Sequence, residues 1–151
     1  MSAPSPSFHA SAVLVGARAV LIRGPAGAGK SRLALALIAA AQTGALPFAR
    51  LVADDRVHLQ GVNGRLLVRP AERLAGLVEV RGVGLRRLPF ETLAVVGLVV
   101  DLAAADSERL PLPGTRTAVV EGISVPRLAV APGADALSRV LAVLRTADVG
   151  V

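Results

Sequence analysis

The residues with the clearest chemical meaning form a glycine-rich segment that holds the only lysine of the chain. The segment reads GPAGAGKS and matches the pattern GxxxxGK[ST] of a phosphate-binding P-loop. In such a loop main-chain N–H groups surround phosphate oxygens, the lysine neutralises the β- and γ-phosphates, and the serine hydroxyl ligates Mg²⁺. All the other basic residues are arginines, whose broad planar guanidinium suits a tight phosphate loop less well than a compact ammonium does. The pattern predicts a nucleotide site formed by Gly24, Pro25, Ala26, Gly27, Ala28, Gly29, Lys30 and Ser31.

Two further groups of charged residues could complete a phosphoryl-transfer site. Asp54 and Asp55 end the apolar run Leu51–Ala53, and an acid at the end of a strand that follows a P-loop helix is the usual second contact of Mg²⁺. Successive residues of a strand point to opposite sides, so one acid can serve the metal while the other faces the acceptor. Glu79 and Arg81 lie two apart on a predicted strand and share a face, from which they could reach metal and phosphate. A surface ion pair is the alternative interpretation of that spacing.

The elements that must position these residues are predicted to be mostly strands. The predicted strands cover residues 11–15, 19–22, 51–53, 57–60, 65–68, 77–81, 93–102, 117–120, 123–125 and 128–130. The predicted helices cover residues 31–43, ended by Gly44, and 134–145. Residues 1–7 are rich in Ser and Pro and are predicted to be a disordered tail before a single domain, residues 8–146. A doubly wound fold would alternate strands and helices throughout. The pattern therefore predicts an α/β P-loop domain with a strand-rich sheet and few helices.

Composition indicates the make-up of the core and excludes some classes of partner. Hydrophobic residues make up 53% of the chain but aromatic residues only 2%, so the core must consist of Val, Leu, Ala and Ile, which suits a parallel sheet covered by helices. The net charge is +6, but the arginines are scattered and no aromatic residues lie between them to stack on bases, so we expect no nucleic-acid binding. No apolar run reaches the roughly 20 residues that cross a bilayer, so we expect no membrane insertion. The absence of cysteine fits a cytoplasmic location.

The order and spacing of these motifs resemble the C-terminal catalytic domain of HPr kinase/phosphorylase. The resemblance rests on the segments HASAV, AVLI, GPAGAGKS, LVADDRV and VEVRGVG, and it extends from residue 9 to about residue 130. It implies a P-loop fold related to phosphoenolpyruvate carboxykinase. It also implies an ATP- and Mg²⁺-dependent serine kinase that phosphorylates HPr, the phosphocarrier protein of the sugar phosphotransferase system, and can reverse the reaction.

The similarity is to the short, catalytic-domain-only form of the enzyme found in some proteobacteria. For a protein of this kind we expect a bacterial, cytoplasmic enzyme. We also expect a homo-oligomer, which by analogy with the family would be a hexamer.

The resemblance assigns roles to the acids of the predicted site. Asp55 matches the general base that takes the proton of the serine, and it would act as an acid in the reverse reaction. Asp54 would lie beside it near the metal, Ser31 would hold Mg²⁺, and Glu79 matches the second Mg²⁺ contact.

The resemblance also assigns roles to basic residues. Lys30 would contact phosphate, and Arg81 belongs to the same catalytic segment as the second metal contact. His9 matches a histidine that precedes the first strand of the family, although from the residues alone a structural or solvent-facing histidine is the expected interpretation. Arg109, in the segment SERL, matches an arginine of the family.

Two departures from the family keep other functions open. Arg32 follows the P-loop serine where the family has an acid, and residues 132–138 lack the Arg-Asn pair that the family links to dephosphorylation. The kinase direction is therefore better supported than the phosphorylase direction. The alternatives are a P-loop kinase of a small metabolite, with Arg81, Arg86 and Arg87 as a lid, or a nucleotide-sensing regulator without catalysis.

Overall fold

Strands dominate the fold. A computed structural model describes residues 6–147 and contains, within that range, eleven strands and two α-helices. The strands are β1 (Phe8–His9), β2 (Ser11–Val15), β3 (Arg18–Arg23), β4 (Ala49–Ala53), β5 (Arg56–Val62), β6 (Arg65–Pro70), β7 (Leu77–Val80), β8 (Gly84–Arg87), β9 (Ala94–Asp101), β10 (Thr117–Val120) and β11 (Ile123–Ala129). The helices are α1 (Lys30–Gln42) and α2 (Ala136–Arg145), and two short 3₁₀ turns cover Glu72–Leu74 and Pro113–Thr115.

Most of the strands join one mixed sheet. Its main path runs β1-β5-β6-β9-β3-β2-β4, while β11 pairs with β9 and carries β10 on its other side. Strand β9 therefore has β3 along one edge, with β6 and then β11 along the other: β6 pairs with Ala94 and Val95, and β11 pairs with the stretch from Val99 to Asp101. Strands β7 and β8 form a separate two-stranded hairpin.

Three parallel strands at the centre end side by side. Both β3 and β11 run parallel to β9, and Arg23 and Ala129 each pair with Asp101. Strand β4 ends at the same edge of the sheet, because β2 is antiparallel to both β3 and β4. Ligands of α/β proteins bind at the carboxyl ends of parallel strands. This edge is therefore where a functional site is expected, and the P-loop leaves β3 there.

Both faces of the central strands are buried, but different elements cover them. On one face Ile22 packs in a core with Leu37 of α1 and Val140 of α2. On the other face Leu21 packs in a core with Val68 and other residues of the outer strands. Strand β4 contacts β6 although the two are not neighbours in the strand order, so the sheet bends around this second core. The sheet is thus mixed rather than parallel, and on this face strands form the layer for which the composition predicted helices.

The predicted strand-rich fold with two helices is confirmed. The predicted strands 57–60 and 65–68 lie in the β5–β6 hairpin, which turns at Asn63 and Gly64. Both turn residues have positive φ, the conformation that a two-residue hairpin loop of this type needs. Among the described residues, no helix is both long and apolar enough to span a bilayer.

The predicted break at Pro126 is wrong. Residues 123–125 and 128–130 were expected to form two strands, but β11 runs through Pro126 without interruption. Pro126 lies opposite Thr117 at the end of the pairing with β10, and the pairing with β9 begins one residue later at Arg127. Proline removes a ladder hydrogen bond only where its N–H would have faced a partner strand, and here it stands where β11 changes partners.

Other boundaries also differ from the prediction, most clearly at the β7–β8 hairpin and at the start of α2. Arg81 is not on a strand with Glu79, because β7 ends at Val80 and residues 81–83 form the turn of the hairpin. Strand β8 was not among the predicted strands. Helix α2 begins at Ala136 rather than at residue 134, because Asp135 accepts a hydrogen bond from the N–H of Ser138 and so caps the helix.

The N-terminal segment predicted to be disordered, residues 1–7, lies outside the described residues except for its last two. The carbonyl oxygen of Pro6 lies 3.0 Å from His58 Nδ1, and Arg56 donates a hydrogen bond of 3.5 Å to the Ser7 hydroxyl. These two residues therefore lie against β5. They lead into the short strand β1, which sequence analysis did not predict and which pairs Phe8 with Val57.

Candidate active site

The eight predicted residues of the P-loop connect β3 to the first turn of α1. Gly27 and Gly29 have φ values of 81° and 101°, a region that glycine enters without strain. Helix α1 has no side-chain cap and no acidic residue in its first turn. The N–H groups and the positive end of the helix dipole therefore face the loop without a competing side chain, and this arrangement favours an anion.

The side chain of Lys30 closes the loop on itself. Its ammonium group donates hydrogen bonds to the carbonyl oxygens of Gly24, at 2.8 Å, and Pro25, at 3.1 Å. Lys30 is the first residue of α1, so its charge lies at the mouth of the loop. A phosphate bound in the loop would add a stronger, charge-assisted partner for this ammonium.

A buried carboxylate connects the P-loop to the end of β4. Asp54 is only 5% exposed, and its Oδ1 accepts hydrogen bonds of 2.7 Å from both the Ser31 hydroxyl and the Ser11 hydroxyl. Buried charges need such partners, since an unpaired carboxylate in the interior is costly. Asp54 therefore lies beside the P-loop serine, the position at which a Mg²⁺ contact was predicted.

Sequence analysis missed Ser11. It is fully buried at the start of β2, donates to Asp54, and accepts a hydrogen bond of 3.4 Å from the N–H of Asp55. The available signal was weak: Ser11 is the one polar residue in an otherwise apolar strand, a common feature of strand ends. In the structure this hydroxyl holds the two successive aspartates at the strand end.

Asp55 differs from Asp54 in exposure and in partner. Its side chain is 64% exposed, its φ is 70°, and its Oδ1 lies 3.6 Å from Nδ1 of His9, which is similarly exposed. Strand β1 positions His9, because His9 pairs with Arg56 and the N–H of Ala10 donates to the carbonyl oxygen of Asp55. One aspartate thus faces the P-loop serine while the next is open to solvent.

The structure brings five predicted residues together at this edge: Lys30, Ser31, Asp54, Asp55 and His9. It does not do so for the other three. The side chains of Glu79, on the exposed face of β7, and of Arg81, in the turn that follows, make no hydrogen bond or ion pair among the described residues, although β7 contacts α1.

Arg109 also lies apart from the five residues. It is exposed in the loop between β9 and β10 and has no recorded polar partner within residues 6–147. Nor does any group of three or more His, Asp or Glu side chains in that range lie close enough to hold a metal ion alone.

A second charged group, which sequence analysis also missed, lies next to the P-loop. Asp101, at the end of β9, accepts hydrogen bonds from Arg23 at 2.7 and 2.8 Å and from Arg127 at 2.6 Å. Arg127 also donates to both carboxylate oxygens of Asp106, at 2.8 and 3.0 Å, and to the carbonyl oxygen of Thr115 at 3.0 Å. Arg127 thus connects two points of the loop between β9 and β10, which carries Arg109, to the carboxyl end of β9.

The electrostatics of this group are those of strong ion pairs. Burial raises the pKa of Asp101, but the hydrogen bonds and charges of Arg23 and Arg127 outweigh it and hold that pKa below its usual value. The hydrogen bond from Arg127 is the main cause that lowers the pKa of Asp106. The same contacts raise the pKa of Arg127, so the group is fully charged at neutral pH.

Comparison with known proteins gives one consistent family. Residues 1–133 match the family model described as the HPr serine kinase C-terminal domain. An HPr kinase/phosphorylase from Clostridium beijerinckii is 37% identical over 83 residues, which cover 55% of this chain and 25% of that protein. An HPr kinase/phosphorylase from Streptococcus thermophilus is 37% identical over 107 residues, which cover 70% of this chain and 30% of that protein. The chain spans less than a third of the length of these relatives.

A solved structure extends the similarity to the fold. The HPr(Ser) kinase/phosphatase from Coxiella burnetii superposes with a TM-score of 0.73 and 26% sequence identity. The match covers 93% of this chain and 89% of that one. The similarity therefore includes the strand-rich second layer as well as the P-loop.

Proposed function

The chain belongs to the HPr serine kinase C-terminal domain family, and from that membership we propose that it is an ATP- and Mg²⁺-dependent kinase that phosphorylates a serine of HPr. The observation that carries the proposal is the hydrogen bond between Ser31 and Asp54, with Asp55 as the next residue. This contact brings a phosphate-binding loop and an exposed carboxylate to the same edge of the sheet, as transfer of phosphate to a hydroxyl group requires.

The P-loop would bind the triphosphate. The uncapped N-terminus of α1 offers main-chain donors, and Lys30 already lies across the loop. In the proposed complex the ammonium of Lys30 moves from the carbonyl oxygens of Gly24 and Pro25 to the β- and γ-phosphates. Charge-assisted hydrogen bonds to phosphate are stronger than those to neutral carbonyl groups, so the exchange is favourable.

Ser31 and Asp54 fit the protein side of a magnesium site. Mg²⁺ prefers oxygen ligands and is usually held by one or two carboxylates or hydroxyls together with substrate phosphates and water. The Ser31 hydroxyl and the Asp54 carboxylate lie 2.7 Å apart, and neither needs to move far to offer oxygen to a cation. When bound, Mg²⁺ would neutralise charge on the phosphoryl group that is transferred. Glu79, the other predicted contact, would have to approach from the β7–β8 hairpin.

Asp55 is the proposed general base. A serine hydroxyl is a weak nucleophile, and a carboxylate that accepts its proton makes attack on the γ-phosphorus feasible. In this step the serine oxygen forms the new bond to phosphorus, the bond to ADP breaks, and Asp55 keeps the proton until it passes to solvent. Its exposure allows a protein substrate to reach it. His9, 3.6 Å away, would orient the carboxylate.

The remaining assignments complete the proposal. Arg109 would meet the transferring phosphoryl group from the loop that Arg127 ties down, and Arg81 would approach from the hairpin turn; an arginine stabilises the charge that develops there. Residues 132–138 lack the Arg-Asn pair of the family, so transfer to HPr is proposed and the reverse reaction is not. A cytoplasmic location and a homo-oligomer, a hexamer by analogy, are part of the same proposal.

Phosphotransfer to HPr tests the function directly. The protein is incubated with Mg-ATP and HPr, and phosphoserine on HPr is followed by mass spectrometry. We expect transfer by the native protein, none to HPr in which the acceptor serine is replaced by alanine, and none by Lys30→Ala. Tight ATP binding without transfer to HPr would refute the proposal. ADP release that depends on a small metabolite instead of HPr would point to the metabolite kinase.

A further inference from the structure

A pocket lined by apolar side chains lies beside the P-loop, at the ends of β9 and β11 and thus on the side away from β4 and Asp54. The outer side of the loop (Pro25–Ala28), the turn after β9 (Leu102 and Ala103), and the segment before α2 (Val130–Ala134, with Ala136) line it. Its volume is about 340 Å³, at the lower end of the roughly 300–1,000 Å³ typical of ligand sites. It is therefore large enough for one ring system with its attached sugar and too small for a whole nucleoside triphosphate.

Main-chain hydrogen bonds hold the walls of this pocket in place. The N–H of Leu102 donates to Arg23 at 2.8 Å, the N–H of Val130 to Asp101 at 2.9 Å, and the N–H of Ala104 to Val130 at 2.9 Å. These bonds join the ends of β3, β9 and β11, the three parallel strands. The pocket is therefore formed by the fold itself, and binding of a ligand would not cost free energy to order its walls.

The lining determines which ligand can bind. Every side chain that faces the pocket belongs to Ala, Gly, Pro, Val or Leu, so none offers a charge or a hydrogen bond. An ionic ligand would lose water there and find no charged side chain to replace it, whereas a flat uncharged ring would bury apolar surface against these side chains. Because Pro25–Ala28 belong to the pocket as well as to the phosphate loop, a ligand in the pocket adjoins a phosphate held by Lys30 and Ser31.

We propose that this pocket binds the nucleobase of the nucleotide substrate, with the base between the outer side of the P-loop and the segment before α2. The inference rests on the proposed kinase function for the presence of a nucleotide. The side chains give the base apolar surface only, so any hydrogen bonds to its edge come from main-chain groups.

The native protein alone provides the first test. Binding of Mg-ATP and of Mg-tripolyphosphate is measured by calorimetry; both ligands carry three phosphates, but only ATP carries a base. We expect ATP to bind at least about tenfold more tightly, the difference that burial of one aromatic ring readily supplies. Equal affinities would overturn the proposal.

A variant that fills the pocket locates the base. Ala134→Leu should lower ATP affinity about tenfold and change tripolyphosphate affinity less than about twofold. The matched control is Ala39→Leu, on the exposed side of α1, which should change neither. An equal loss for both ligands would mean that the P-loop was disturbed, and an unchanged ATP affinity would place the base elsewhere; either result overturns the proposal. If the variant does not fold, the native comparison decides.

The two proposals can fail separately because this test needs no HPr. A preference for ATP that Ala134→Leu removes, without transfer to HPr, would refute only the kinase function. Transfer to HPr with equal affinities for ATP and tripolyphosphate would refute only the base pocket. If neither ligand binds, both proposals fail.

Discussion

Replacement of Ser11 by alanine tests whether the buried hydroxyl holds the acids at the end of β4. In the structure it donates a 2.7 Å hydrogen bond to Asp54, and both residues are nearly inaccessible to water. Water cannot easily replace the lost partner, so the free energy of unfolding should fall by about 1.5–3 kcal/mol, the range for a hydrogen bond to a charged group. For a domain of this size that corresponds to a fall in Tm of about 3–12 °C.

The assay is urea or thermal unfolding of the native protein and two variants. The matched control is Ser124→Ala, which removes from an exposed residue of β11 a hydroxyl that makes no hydrogen bond within residues 6–147. We expect the control to stay within about 0.5 kcal/mol of the native protein. If Ser11→Ala unfolds together with the control, the hydroxyl does not brace Asp54 and the account of the strand end is wrong.

Three further predictions address the loop and the charged group beside it. Lys30→Ala should weaken Mg-ATP binding by about 10- to 100-fold in calorimetry, because one charge-assisted contact to phosphate is lost; unchanged affinity would refute the P-loop assignment. Arg127→Ala should lower the free energy of unfolding by about 1.5–3 kcal/mol, since the partly buried Asp101 loses one of its two charge-assisted partners, and a loss below about 0.5 kcal/mol would contradict the ion-pair network. The folded pKa of Asp101 lies below its usual value of 3.8, so its contribution to stability is present above that pH and is lost as the pH falls through the folded pKa. The free energy of unfolding of the native protein should therefore fall below about pH 4, and it should fall less in Asp101→Asn. An identical fall in both proteins would contradict the stabilising role of the Asp101 ion pairs.

The local parts of the site could be predicted from the sequence. The P-loop is one continuous segment, its residue types and spacing predict phosphate binding, and the helix that it precedes follows directly in the sequence. Asp54 and Asp55 are adjacent at the end of an apolar run, and the alternation of a strand predicted that they would face different sides. The physical reason is different, because both residues lie in a bend beyond Ala53, the last residue of β4, and Asp55 has a φ of 70°. In the structure one is buried against Ser31 and the other is exposed.

The parts that depend on distant pairing could not be predicted. Ser11 meets Asp54 across 43 residues, and Arg23 meets Asp101 across 78 residues. No periodic pattern links such positions, because the strand order of the sheet decides which ends meet. Short-range rules also failed where tertiary context overrode them, as at Pro126, where β11 changes partner strands.

The most direct test of the central claim separates the role of Asp54 at the P-loop serine from the role of Asp55 as the proton acceptor. Mg-ATP affinity and the rate of phosphate transfer to HPr are measured on the same preparations of the native protein, Asp55→Asn and the control Glu121→Gln, which removes an exposed carboxylate at the opposite edge of the sheet. We predict that Asp55→Asn keeps native ATP affinity, because Asp54 makes the contact to Ser31, and loses about 10²- to 10⁴-fold in transfer rate, because the proton acceptor is gone. A transfer rate equal to that of the control would contradict the account.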